Sequence, residues 1–160
     1  DFYGHDIPGA VLASRLADFV HLYTLHWQVR PFGCAVLLAV NNPGEDPQLY
    51  LIEPSGVSYR YYACAFGKGR QAAKTDLEKI NLKTITCDEA VQELAKIIVA
   101  VHDDAKDKDY ELEMIWVKDN PKSSKDKPLP TAQAVPKDII RAAHSAAKAA
   151  AENDDDMDDE

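Results

Sequence analysis

A lysine framed by two glycines, Gly67-Lys68-Gly69, follows an apolar run and precedes a helical pattern, the setting in which backbone amides cradle a phosphate. A phosphate loop needs another glycine five residues before Gly67 and a hydroxyl residue after Lys68. Tyr62 and Gly69 occupy those places, so the segment reads as a tight strand-to-helix turn that requires small residues. Ser55 lies in Glu53-Pro54-Ser55-Gly56, which lacks the flanking glycines of a hydrolase nucleophile elbow and reads as a turn residue. An N-terminal threonine can use its own amine as general base; here the first residue is Asp1, followed by Phe2.

The remaining titratable groups do not converge. His21 and His26 are five residues apart, about 140° on a helix, which takes them off any shared metal-binding face; His26 falls on an apolar stripe and reads as a packed side chain. His102, with Asp103 and Asp104 after it, reads as a solvated helix end. Glu111 and Glu113 share the polar face of an alternating segment. Cys34, Cys64 and Cys87 form no Cys-x-x-Cys pair and have no histidine at zinc spacing; they read as small buried hydrophobes in a reducing compartment. No catalytic, cofactor-binding or metal-binding residue is assigned.

The elements that would position these residues alternate in type. The chain has 160 residues, about one domain, with 46% hydrophobic and 28% charged residues, a globular composition. No apolar run approaches the roughly 20 residues of a membrane-spanning helix, and no secretory pattern opens the chain. With no initiator Met, Asp1 does not read as the natural start: either residues were removed or the chain is part of a longer product. The net charge of −9 belongs to the end of the chain. Glu152 to Glu160 hold seven of the twenty-seven acidic residues, leaving twenty against eighteen basic ones elsewhere. A near-neutral body offers nucleic acid no general attraction.

Pro8-Gly9 opens a first helix, with Leu12, Leu16, Phe19, Tyr23, His26 and Trp27 as its expected inner stripe and Pro31 and Gly33 as its stop. Three strands are expected at Cys34–Val40, Gln48–Glu53 and Val57–Phe66, with Pro54-Ser55-Gly56 turning the chain between the last two, an antiparallel meander. A helix over Arg70–Ile80 turns Ala73, Leu77 and Ile80 inward. A capping box, Thr86-Cys87-Asp88-Glu89, opens another, with Ala90, Val91, Leu94, Ile97, Ile98 and Val101 as its core stripe. Tyr110–Trp116 alternates as a last strand. Residues 118–130, with four lysines and three prolines, read as a mobile loop; an alanine-rich helix then follows Val135-Pro136. Residues 1–151 thus make one domain, and 152–160 an acidic tail with too little apolar surface to order. The helices after the meander can cover one sheet face. Because Cys34–Val40 is apolar at nearly every position, the other face also needs a cover, and a second sheet packed face to face would supply it.

Three segments, in order and at their spacing, carry a resemblance: Arg30-Pro31-Phe32-Gly33, Pro54-Ser55-Gly56, and Gly67-Lys68-Gly69 leading into Arg70-Gln71-Ala72-Ala73. Together they resemble the alpha-type subunits of the 20S proteasome. Tyr59-Arg60-Tyr61-Tyr62, Ala95-Lys96-Ile97-Ile98, Lys106-Asp107-Lys108 and the acidic tail are most similar to the type commonly called alpha-seven. The resemblance covers residues 3 to 118 and, in character, the last helix and tail. It implies an α+β fold, the αββα sandwich of N-terminal-nucleophile hydrolases, represented here by its second antiparallel sheet and flanking helices. It further implies a noncatalytic wall subunit in the cytoplasm and nucleus. Its expected partners are other alpha subunits in a seven-membered ring, beta subunits, and regulatory particles or activators, with no cofactor, nucleic acid or membrane. The family's gate segment, its long first helix and its activator-pocket lysine have no counterpart here, so no residue takes those roles. A fragment of an active hydrolase of the same fold, bearing an exposed first Thr, Ser or Cys, is the alternative, and a free-standing α/β interaction domain is another.

Overall fold

In the computed structural model, which describes residues 7–42, 45–102, 109–118 and 131–158, the order of elements is α1 (Gly9–Leu25), β1 (Val36–Val40), β2 (Gln48–Ile52), β3 (Ser58–Tyr61), α2 (Arg70–Leu77), α3 (Cys87–Val101), β4 (Ile115–Lys118), β5 (Thr131–Ala134) and α4 (Lys137–Asp158). Helices and antiparallel strands are mixed, an α+β chain. It divides into two units, the first holding α1 and β1–β3, the second beginning at Ala65.

In the first unit the expected meander is present, with strand order β1-β2-β3 and both pairings antiparallel. The register sets Val36 opposite Ile52 and Leu38 opposite Tyr50, while Leu37, Leu51 and Tyr59 line up across the sheet on the other face. Because side chains alternate along a strand, this register sorts the apolar residues into two separate faces. α1, which precedes the meander, covers the first. Ala13, Ala17 and Val20 are buried with Tyr50 and Ile52, and Leu16, Phe32, Val36 and Leu38 pack around them. β3 stops at Tyr61, short of the expected Phe66, because its pairing with β2 ends at Leu49–Tyr61.

α1 corrects the expected stripe. Its buried residues are Gly9, Ala13, Ala17 and Val20, a face turned by roughly 90° from Leu12, Leu16, Phe19 and Tyr23 at 100° per residue. Small side chains let the helix approach the sheet: a Cβ on Gly9 would lie 3.0 Å from Val40 Cγ1. The helix also ends before Pro31. His26 is its C-cap in extended conformation, exposed rather than packed, and Trp27 is 91% exposed.

In the second unit α3 and α4 pack through Val91, Ala95, Ala143 and Ala147, with Val135 beside them. Again alanines are among the most buried residues, whereas the expected core residues Leu94 and Ile98 stay exposed. α2 lies on α3 with Leu77 buried and Ala73 and Ile80 half-buried, as expected. The alternation from Tyr110 to Trp116 holds in burial, even residues in and odd residues out, but only Ile115–Lys118 is strand. Among the described residues the stretch before it joins no ladder: Leu112 and Met114 pack on the α3–α4 core, Met114 O accepts from Val135 N at 3.0 Å, and the ladder begins only with β4. Its partner β5 was not expected. α4 continues to Asp158, past the expected boundary at Ala151, since propagating a formed helix adds one hydrogen bond for each residue ordered. Residues 119–130 of the expected mobile loop lie outside the described residues.

Candidate functional site

The three motif segments are structural joints. In the first, Arg30 Nη1 donates to Pro31 O at 3.2 Å, and Phe32 folds back onto α1, with its ring centroid 4.5 Å from Tyr23 and 6.1 Å from Phe19. Gly33 has open space where a Cβ would point, and its φ is not positive. Sterics do not demand a glycine there.

The second joint is the β2–β3 turn. Glu53 N donates to Val57 O and Gly56 N to Glu53 O, both at 2.9 Å, and Ser55 Oγ accepts from Val57 N at 3.4 Å. Ser55 is therefore a turn residue, as its sequence context indicates. Pro54 precedes it in the same turn, and Gly56 takes a φ of +85°, which L side chains rarely adopt. The turn is seated on α1: a Cβ on Gly56 would come 2.5 Å from His21 Cβ and 3.0 Å from Ala17 O. His21 closes the joint with its Nδ1 2.9 Å from Ser55 O, so Nδ1 carries the proton and donates. Thr24 Oγ1 donates to His21 O at 2.7 Å, one turn along α1. The sequence carried no signal for His21 in this role, since the contact spans 34 residues.

The third joint opens α2. Gly67 and Gly69 have φ of +107° and +73°, and Arg70 N donates to Gly67 O at 3.3 Å. A Cβ on Gly69 would collide with Val101 Cγ1 near the end of α3. Lys68 stands exposed between them. The glycines serve the turn and the α2–α3 approach, which is the reading the failed phosphate-loop pattern left.

Polar groups are disposed for structure as well. Thr86 caps α3: its Oγ1 accepts from Glu89 N at 3.3 Å while Glu89 Oε2 accepts from Thr86 N at 2.8 Å. The bond from Thr86 N, and after it one that Thr86 Oγ1 donates to the same Oε2 at 2.8 Å, hold the Glu89 carboxyl below the usual range. Tyr110 OH lies 3.1 Å from His144 Nε2, and its ring lies tilted against that of His102, the half-buried C-cap of α3, with centroids 4.5 Å apart. An open cleft of about 440 Å³ lies between α2 and α3. Its charges pair off within each wall, Lys79 with Asp76 and Lys96 with Glu93, each at 2.7 Å, leaving no unopposed charge to hold a substrate. Cys34 and Cys87 are exposed and Cys64 half-buried, correcting the expectation that all three are core residues. Glu111 and Glu113 face water. Among the described residues no three of His, Cys, Asp and Glu could hold a metal ion, and no helix is long and apolar enough to cross a membrane.

What remains is the sheet face away from α1. Leu37 and Tyr59 are about half exposed, at 52% and 53%, on either side of the buried Leu51. Ala39, Leu49 and Tyr61 continue the same face.

The sheet carries apolar residues on both faces, and its turn onto α1 and the turn into α2 are braced by glycines. The family model described as proteasome subunit matches residues 2–117. The chain is 50% identical over 153 residues to proteasome subunit alpha type-3 of Arabidopsis thaliana, an alignment that takes in 96% of this chain and 58% of that relative. With proteasome subunit alpha type-3 of Acanthamoeba castellanii it shares 49% identity over 100% of this chain and 60% of the relative. With the probable proteasome subunit alpha type-7 of Schizosaccharomyces pombe it shares 45% over 73% of this chain and 46% of the relative. The chain belongs to the proteasome subunit family. It spans about three-fifths of the length of its alpha type-3 relatives from Arabidopsis and Acanthamoeba.

Proposed function

We propose that this chain acts as a noncatalytic structural subunit of the outer alpha ring of a 20S proteasome, scaffolding the ring and restricting substrate entry for protein degradation. The observation that carries this reading is the alignment of nearly the whole chain with alpha-type relatives, taken with described residues that build joints and faces. We infer that β1–β3 belong to an αββα sandwich of the N-terminal-nucleophile type. A second sheet then covers Leu37, Leu49, Tyr59 and Tyr61, the face that α1 leaves open. Face-to-face packing about 10 Å apart is the ordinary way to bury two such apolar faces. The partners in this reading are neighbouring alpha subunits in a seven-membered ring, beta subunits, and regulatory particles or activators. Cleavage is carried by other subunits, and the particle works in the cytoplasm and nucleus. The acidic run Glu152–Glu160 contacts basic surfaces of regulators, an attraction that weakens as salt rises.

Native mass spectrometry of the particle recovered through a tag on this chain tests the proposal. A four-ring assembly containing the tagged chain, with peptidase activity, is expected. A free monomer, or a particle whose activity disappears with a nucleophile of this chain, would overturn it.

A further inference from the structure

We draw no further inference here: the strongest candidate, the exposed apolar flank of α1 that carries Val11, Leu22 and Leu25 on the side away from the sheet, is an unpartnered helix face, and nothing in the structure shows what covers it.

Discussion

Replacing Gly56 with alanine tests whether the β2–β3 turn is held by its seat on α1. At φ +85° an L residue costs about 1–2 kcal/mol. The new methyl group would also lie 2.5 Å from His21 Cβ and 3.0 Å from Ala17 O, against about 3.5–4.0 Å for an ordinary carbon contact. α1 cannot recede, because Ala17 and Val20 are buried against the sheet at the same level. The turn must lift instead, and the 2.9 Å bond between His21 Nδ1 and Ser55 O is lost, about 0.5–1.5 kcal/mol. The sum is about 2–4 kcal/mol, or roughly 30- to 1,000-fold in an opening equilibrium. Amide hydrogen exchange at Gly56 and Val57, compared between wild type and Gly56→Ala, reads that opening directly. Gly33→Ala is the internal control: with open space and no positive φ it should be neutral or slightly stabilising. His21→Ala should remove the same hydrogen bond, so the two changes combined cost less than their sum. Unchanged exchange in Gly56→Ala, or equal damage from Gly33→Ala, refutes the reasoning.

Gly69→Ala should destabilise the α2–α3 pair by about 2 kcal/mol through its positive φ and its collision with Val101, and Val101→Ala should recover part of that in a double-mutant cycle of thermal stability. Thr86→Ala removes the α3 cap and should cost about 1 kcal/mol in urea unfolding. The folded-state acidity of Glu89 is raised by the same cap, so its contribution is present above the normal glutamate pKa and is lost as pH falls through the depressed folded value. Stability measured from neutral to acid pH should therefore fall less in Thr86→Ala than in wild type. Leu37→Glu places a charge on the sheet face away from α1 and should leave the tagged chain outside the particle, whereas Thr75→Glu, on exposed α2 surface, should leave incorporation unchanged.

The features that were legible are those decided within a few residues. Thr86 and Glu89 satisfy each other's backbone donors three residues apart, so the start of α3 needed no knowledge of its neighbours. The Pro54-Ser55-Gly56 turn and the Gly67–Gly69 turn follow from backbone conformations that glycine alone adopts freely. Strand ends were less legible. Tyr110–Met114 alternates like a strand and buries its even residues like one, yet among the described residues it forms no ladder, because alternation reports burial and not the presence of a pairing partner. β5 offered only four residues, too short a run for periodicity to register. Among the joints, the glycines were visible; the residues they approach, His21 and Val101, were not, each lying more than 30 residues away in sequence.

The largest misreading concerned which helix faces go inward. The expected stripes run through the bulky Phe19 and Tyr23 in α1 and through Val91, Leu94, Ile97 and Ile98 in α3, of which Val91 and Ile97 are buried. The structure instead turns Gly9, Ala13 and Ala17 to the sheet and joins α3 to α4 through Ala95, Ala143 and Ala147. A signal existed in the four-residue spacing of small residues, which lays a smooth ridge along a helix and allows close approach. By itself, then, the sequence determined the order of the elements other than β5, the joints made by glycine and the cap made by a hydroxyl, since each is settled by local sterics and hydrogen bonding. Only the tertiary structure decided that α1 meets the sheet through alanine and not phenylalanine, because a helix that is apolar on several sides has no single preferred face until a partner surface selects one. The same packing leaves the Leu37–Tyr59 face open, its apolar residues set apart from the α1 core by the register of the ladder.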